Sequence, residues 1–236
     1  MRVLVVGSCG KRKLHNSPRQ PGCQDIDHIR GVSYWKKELL ENCAPARDMY
    51  TGPQSIELIK AVDLLRTIAN VEVHLSIISA GFGVLQEHDL VPPYDCSFTN
   101  MKMVEVKKRS EELELQSSFT SLVNSSFDLV YLALGKQYLA ALGTAALTTI
   151  RTPTIVFHGQ DSDHLIQVPC STKTVKAFSE CGHTIHGVVG FKSDLLRILA
   201  GYALKKSHPY SEVKKWTESS HLRMVLHRLS CPKSLR

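Results

Sequence analysis

Short apolar runs that alternate with helical patterns are the feature that most constrains how this chain can fold. The first is the run Arg2-Val3-Leu4-Val5-Val6, which ends in Gly7-Ser8-Cys9-Gly10. A continuously apolar run of β-branched residues is typical of a strand that is buried on both faces, as in a parallel sheet. Later runs of the same kind predict further strands. The predicted strands cover residues 1–7, 73–79, 127–134, 154–157 and, as the last one, 184–189.

Helical patterns fill the intervals between these runs. The clearest begins at Pro53, directly after Thr51-Gly52, because proline is favoured at the first position of a helix. The predicted helices cover residues 34–42, 53–69, 101–124, 192–205 and 211–229. Alternating strands and helices predict an α/β fold, here a single domain with a largely parallel sheet flanked by helices. We expect residues 1–205 to form this domain and 206–236 a basic helical C-terminal extension.

The charge balance favours a polyanionic partner. The 236 residues carry a formal net charge of +7, and the segment from Lys205 to Arg236 has eight Lys or Arg against two Glu. Nucleic acid is the commonest polyanion for such a protein, although excess charge also serves solubility. No apolar stretch reaches membrane-spanning length, and the first strand is too short for a signal peptide. We therefore expect a cytoplasmic protein that binds DNA and no membrane; its oligomeric state stays open.

The cysteine pattern predicts reduced thiols. The chain has seven cysteines, an odd number, and no two of them form a CxxC pair. Such a pattern in a chain of this size argues against a disulfide framework. Cys181, His183 and His186 have a spacing close to that of metal ligands, but no fourth ligand accompanies them. We therefore predict no metal and no other cofactor.

Three polar motifs follow the predicted strands or precede the strongest helix. The first is Ser8-Cys9-Gly10-Lys11-Arg12-Lys13, whose three cations suggest a phosphate site. A solvated basic loop explains it equally well. The second is Ala46-Arg47-Asp48-Met49-Tyr50-Thr51-Gly52, where a helix N-terminus with Arg47, Asp48 and Tyr50 nearby can bind an anion and place a carboxylate beside it. A surface ion pair and a helix cap explain this second motif equally well.

The third motif is the loop from Ser79 to Asp95. It opens with Ser79-Ala80-Gly81-Phe82-Gly83 and closes with Tyr94-Asp95. Phe82 and Tyr94 can stack on a flat ring, and glycines let backbone N–H groups approach a ligand. An ordinary packed aromatic loop is the alternative. If the first two major strands are parallel, the first and third motifs meet at the carboxyl edge of the sheet, where ligands bind in open α/β folds.

Taken together, the three motifs resemble the YaaA-like superfamily. The resemblance rests on SCGKRK near the N-terminus, ARDMYTG at the start of a helix, and SAGFGVL followed by DLVPPYD. The smaller domains of that superfamily typically have a cysteine followed four residues later by a lysine, as in Cys9 and Lys13. A lysine-bearing helix near the end is also similar, at 192–202. The resemblance covers roughly residues 1–205 and implies a fold distantly similar to uracil-DNA glycosylases.

The resemblance also implies a function on DNA. Proteins of this superfamily are associated with DNA binding and protection, and some small members with the removal of hypermodified bases from phage DNA. The chain is then expected to be a DNA glycosylase that excises a modified base, plausibly glucosylated hydroxymethylcytosine, in antiviral defence. Such an enzyme flips the nucleotide out of the duplex. Asp48 or Asp95 would be the catalytic carboxylate, and a lyase using Lys13 or Lys192 is the mechanistic alternative.

The remaining motif residues are assigned to substrate binding. Aromatic rings would hold the base, and cations would hold the flanking phosphates. The predicted substrate-binding residues are Ser8, Cys9, Lys11, Lys13, Arg47, Tyr50, Ser79, Gly81, Phe82, Gly83, Tyr94 and Lys192. Two other functions stay open: a non-catalytic DNA-binding stress protein, and a nucleoside hydrolase or deoxyribosyltransferase acting on free nucleotides.

Overall fold

The structure, a computed structural model, describes residues 1–27 and 30–230. The strands are β1 Arg2–Ser8, β2 Ala44–Pro45, β3 Glu72–Ser79, β4 Gly83–Gln86, β5 Leu90–Val91, β6 Leu129–Leu132, β7 Thr154–Val156 and β8 Leu165–Gln167. Six of them form one sheet in the order β4-β3-β1-β6-β7-β8, and a separate two-stranded sheet pairs β2 with β5. The predicted α/β class with a largely parallel sheet is confirmed.

Helices cover both faces of the large sheet. They are α1 Val32–Glu38, α2 Ala46–Met49, α3 Pro53–Arg66, α4 Met103–Glu112, α5 Leu115–Val123, α6 Lys136–Leu142, α7 Thr144–Thr148, α8 Thr172–Glu180, α9 Gly187–Leu204, α10 Pro209–Lys215 and α11 Ser219–Ser230. One apolar core packs α3 and α8–α11 on one face of the sheet. The other core packs α2 and α4–α7 on the opposite face.

Strand β1 occupies the centre of the sheet because its residues Val3–Val6 are fully buried. It pairs in parallel with β3 on one side and with β6 on the other, and only β4 runs antiparallel. The chain therefore adds strands first on one side of β1 and then on the other. In open α/β sheets, such a reversal leaves a crevice at the carboxyl ends of the strands, which is where ligands bind.

The predicted strand over 184–189 is wrong. Those residues lead into α9, which begins at Gly187, and the last strand is β8, Leu165–Gln167. The β-branched pair Val188-Val189 suggested a strand, but both side chains are exposed on the first turn of the helix. Helix α9 instead buries a face that starts at Phe191, against α3 and the sheet.

Two predicted helices are each divided. The helix predicted over 101–124 breaks at Glu114, whose φ of 48° is left-handed and cannot continue an α-helix. The helix predicted over 211–229 is divided into α10 and α11. Both of these helices contribute to the core, with Val213, Trp216 and Leu222 buried. The division at residue 205 stays a prediction, and positions 231–236 of the predicted extension lie outside the described residues.

Among the described residues, no helix combines the length and the apolar character needed to cross a membrane.

Candidate functional site

The first and third motifs meet at the carboxyl edge of the sheet, as their positions after parallel strands predict. The Cys9 N–H donates to the Ile78 carbonyl (2.9 Å), and the Ala80 N–H lies 3.4 Å from the Cys9 sulfur. Cys9 is buried, and its sulfur also lies 3.0 Å from the Tyr138 hydroxyl. Cys9 therefore joins the ends of β1 and β3 to α6 rather than facing solvent.

A chain of hydroxyl groups fixes the third motif. The Tyr50 hydroxyl lies 2.8 Å from that of Tyr94, which lies 2.7 Å from that of Ser79. The Ser79 oxygen also accepts hydrogen bonds from the Gly81 N–H (3.1 Å) and the Phe82 N–H (2.9 Å). Burial raises the pKa of Tyr50 and of Tyr94, so both phenols stay protonated at neutral pH.

Gly81 and Gly83 of this loop are each required for a different structural reason. A Cβ at Gly81 would lie 2.8 Å from the ring of Tyr94, so only glycine allows the loop to pack so closely. Gly83 has a φ of +80°, a conformation that other residues adopt with strain. The glycines predicted to approach a ligand thus also serve the packing of the tyrosine cluster.

Lys13 is the most unusual side chain of the site. The residue is 8% exposed, and its ammonium nitrogen has no hydrogen-bond partner among the described residues. The nitrogen lies 4.2 Å from the centre of the Tyr94 ring and 5.9 Å from that of Tyr50. Burial lowers the pKa of Lys13, and the nearby Cys9 and Asp95 offset part of that effect. Lys13 is therefore a buried cation that lacks an anionic hydrogen-bond acceptor.

The tyrosine rings hold Lys13 and each other rather than presenting a stacking surface. Tyr50 and Tyr94 are each 1% exposed, and their ring centres are 6.4 Å apart in an edge-to-face arrangement. Phe82 is half-buried, with its ring centre 4.8 Å from that of Tyr94. Of the three aromatic residues predicted to hold a base, only Phe82 has a partly open side chain.

A cleft of about 800 Å³ opens beside this cluster. It lies between residues 23–27 and α4, and Asp95 is exposed on its wall. Its charged lining residues are Lys11, Asp27, Asp95, Glu105, Lys108, Arg109 and Glu112. A second, open concavity of about 570 Å³ shares Lys11 and is otherwise lined by Arg12, Lys13, Asn16 and Thr51. Lys11 thus stands between a mixed-charge cleft and a basic concavity.

A disulfide between Cys23 and Cys96 forms part of the cleft, so the prediction of reduced thiols throughout is wrong. The two cysteines are 73 residues apart in the sequence, and backbone pairing brings them together. Gly22 bridges to Asp95, and the Asp95 N–H donates to the Pro21 carbonyl (2.8 Å). No local pattern such as CxxC signals a pairing created by this tertiary contact.

The second motif is divided between two places. Tyr50 belongs to the buried tyrosine cluster, whereas the Arg47 guanidinium bonds to Asp63 (2.9 Å) and to Glu87 (3.2 Å) and so joins α2, α3 and the end of β4. Asp48 is exposed, and its nearest ionic partner is the Nε of Arg47 at 3.8 Å. Neither Arg47 nor Asp48 lines the cleft, whereas Asp95 does. The ion-pair alternative considered from the sequence therefore describes Arg47 and Asp48, and it does not describe Tyr50.

Two further predicted residues line neither the cleft nor the basic concavity. Ser8 ends β1 and lines a small cavity between that strand and α3. Lys192 lies on α9 and is 6% exposed. Its ammonium group donates to the Val189 carbonyl (2.9 Å).

Sequence reasoning missed Arg109 and Tyr138. Arg109 is buried and donates to the carbonyls of Ala80 (2.8 Å), Gly81 (3.0 Å) and Ile26 (2.7 Å), so it holds the glycine loop beside the cleft. The surrounding KKRSEE segment looked like a solvated face, and nothing local marks this arginine. Tyr138 is signalled weakly, because it follows the carboxyl end of β6 by a few residues.

Glu57, His186 and Asp194 place atoms of metal-ligand type within 4.8 Å of one another. Their charges are largely matched by protein groups. Asp194 bonds to the His186 ring (2.8 Å) and to Arg197 (3.4 Å), and Glu57 bonds to Lys60 (2.7 Å). This group therefore serves as a polar contact between α3 and α9, and it does not include Cys181 or His183.

No protein-family model matches the sequence, and no curated protein matches it significantly. The class that the fold defines is an α/β protein with a six-stranded, mostly parallel sheet.

Proposed function

We propose that the chain is a DNA glycosylase of the YaaA-like and uracil-DNA-glycosylase-like type, which removes a modified base from phage DNA. The observation that carries this proposal is the buried Lys13 ammonium, which has no hydrogen-bond acceptor among the described residues. Lys13 lines the basic concavity, and its charge interacts with that of Asp95, which is exposed on the wall of the neighbouring cleft. Breaking a glycosidic bond puts negative charge on the departing base and positive charge on the sugar. A cation and a carboxylate side by side match that charge separation.

In this reaction the two groups have separate roles. The N-glycosidic bond breaks, its electron pair leaves with the base, and the Lys13 ammonium stabilises the developing negative charge. The Asp95 carboxylate stabilises the sugar cation and takes a proton from the water that adds to C1′. The proton that Asp95 takes from the water is passed on to the departing base, so that OH is added to C1′, H is added to the base, and an abasic site remains.

The dimensions of the cleft favour a large base. About 800 Å³ is in the upper part of the range of small-ligand pockets, roughly 300–1,000 Å³, and exceeds what an unmodified base requires. Its lining carries hydrogen-bonding side chains such as Gln24, Asn100 and Glu105, which suit the hydroxyl groups of a sugar substituent. Glucosylated hydroxymethylcytosine is therefore the favoured substrate class.

The decisive experiment uses the purified protein on phage genomic DNAs that are unmodified, hydroxymethylated or glucosylated. Abasic sites are measured by alkali cleavage and released bases by mass spectrometry. We expect release from the glucosylated DNA alone. D95N should reduce release at least about 100-fold, the usual contribution of a general base. D48N is the matched control and should retain activity, because Asp48 lies off the cleft.

A non-catalytic DNA-binding protein is the second candidate, favoured by the basic concavity with Lys11 and Arg12 exposed beside it. Binding to every DNA without release of any base would support it and contradict the glycosylase. Release from free nucleosides, with no need for a duplex, would instead indicate a nucleoside hydrolase or deoxyribosyltransferase.

A further inference from the structure

A second group of cationic and imidazole side chains lies at the carboxyl ends of β6 and β7. Lys136 begins α6 shortly after β6, and His158 comes two residues after β7. Lys192 is brought to the same place by α9. The Tyr131 hydroxyl of β6 donates to the Lys192 carbonyl, and the ring of Phe191 packs against that of Phe157 (6.1 Å).

Nearby carboxylates do not neutralise this group. Asp194, on the same helix as Lys192, bonds to His186 and Arg197, and Asp161 bonds to Arg223 (2.7 Å). Within residues 1–27 and 30–230, neither Lys136 nor Lys192 forms an ion pair. Lys192 gives one N–H to the Val189 carbonyl, and its two other hydrogens have no acceptor among these residues.

The charges of these side chains act on one another. Burial lowers the pKa of His158, and the positive charges of Lys192 and then Lys136 lower it further. Cys170, which follows β8, adjoins Lys192, and burial raises the pKa of its thiol. The thiol therefore brings no negative charge at neutral pH, and the local excess of positive charge remains.

We propose that Lys136, His158 and Lys192 form a binding site for a phosphate group. Two ammonium groups and an imidazole N–H supply charge-assisted hydrogen bonds of the kind that hold phosphate oxygens. The position fits as well, because the carboxyl edge beside the central strand is where open α/β sheets bind their ligands. The site does not depend on glycosylase activity.

Inorganic phosphate is the first probe, and the His158 ring is the reporter. A bound dianion offsets the repulsion from the two lysines, so phosphate should raise the pKa of His158 in an NMR titration of the histidine ring protons. His183 is the internal control. Burial also lowers its pKa, but its neighbouring cations are Lys205 and Arg197, farther along α9. An upward shift confined to His158 supports the site; equal shifts of both rings, or none, overturn it.

A matched pair of variants checks the contribution of Lys136. K136Q changes an exposed residue, so folding is preserved, and it should raise the pKa of His158 without phosphate and reduce the response to phosphate about tenfold. K173Q removes an equally exposed lysine on α8 and should change neither. If K136Q and K173Q behave alike in both respects, the site is wrong.

The source of the phosphate is decided by the salt dependence of DNA binding. If the slope of log K against log salt concentration is about one unit smaller for K136Q than for K173Q, the site holds a backbone phosphate of DNA. If the slope is unchanged while His158 still responds to inorganic phosphate, the ligand is a small phosphate compound. Failure of base excision leaves the His158 response intact, so the two proposals fail separately.

Discussion

At the scale of single residues, Lys13 combines a cost to stability with a place beside the cleft. Burying an ammonium group without a hydrogen-bond acceptor is unfavourable, and the aromatic face of Tyr94 compensates only in part. A substitution that removes the charge should therefore help folding. Residues that stabilise the fold poorly while occupying a cleft are candidates for function. The buried position of Lys13 is better explained by a ligand that accepts its hydrogen bonds than by a contribution of Lys13 to the stability of the core.

We predict that K13M raises stability and abolishes function. Methionine keeps much of the volume of the lysine stem and carries no charge, so the free energy of unfolding at pH 7 should rise by about 1 kcal/mol, or roughly 2–4 °C in Tm. Base release should be lost. Thermal unfolding and the release assay measure the two effects, with the exposed-site variant K11M as the stability control.

The lowered pKa of Lys13 also predicts how the difference in stability between K13M and the wild type changes with pH. Because burial lowers the pKa of Lys13, the unfolded chain binds more protons than the folded protein between that lowered pKa and about pH 10.5, the ordinary value for lysine. The stability of the wild type therefore gains from this group as pH rises. The advantage of K13M should shrink toward pH 10.5. A K13M variant that is both inactive and less stable at pH 7 would mean that Lys13 serves mainly as a structural residue.

At the scale of elements, one carboxylate connects two helices and a strand. Glu87 follows β4 and bonds to Arg47 of α2 (3.2 Å) and, by two hydrogen bonds, to Arg66 of α3. Burial alone would raise the pKa of Glu87, but the hydrogen bonds and charge of Arg66, with the charges of His88 and Arg47, hold the pKa below its ordinary value. The second motif is thus held to the sheet by ionic contacts.

We predict that this contact makes the protein sensitive to acid. Because the folded pKa lies below 4.5, the stabilisation is complete above that pH and is lost as pH falls through the folded value. E87Q should cost about 1–3 kcal/mol at pH 7 and flatten the decline in acid, as measured by urea unfolding at several pH values. E72Q, at an exposed ion pair, should change little. Equal pH profiles for E87Q and the wild type would contradict this assignment.

At the scale of the whole molecule, the sequence predicts what local patterns encode. The strands around the centre of the sheet and the meeting of the Cys9 and Ala80 loops follow from apolar runs and parallel topology, and both were predictable. Three other features depend on contacts between distant segments. They are the direction in which Asp48 points from α2, the carbonyl groups to which Arg109 donates, and the Cys23–Cys96 disulfide. Local periodicity carries no information about such contacts, so they had to come from the structure.

If the protein binds DNA as proposed, the distribution of positive charge over the molecule predicts which surface faces the duplex. Lys11 and Arg12 are exposed beside the cleft at the carboxyl edge of the sheet. Helix α9 starts near that edge, where the Ser193 hydroxyl donates to the Gln54 carbonyl (2.7 Å), and its 18 residues extend about 27 Å. Lys214 and Lys215 lie beyond its far end, on α10. The two pairs of cations therefore test two different surfaces.

We predict that the pair at the edge carries more of the salt dependence. Each lysine or arginine that contacts a phosphate contributes about one unit to the slope of log K against log salt concentration. The double variant K11Q/R12Q should lower the slope by about two units, and K214Q/K215Q, which removes the same charge, should lower it less. Fluorescence anisotropy with a labelled duplex measures both slopes. The reverse order would place the duplex on the C-terminal extension, as the sequence alone suggests, and would separate DNA binding from Lys13 and from the cleft with Asp95.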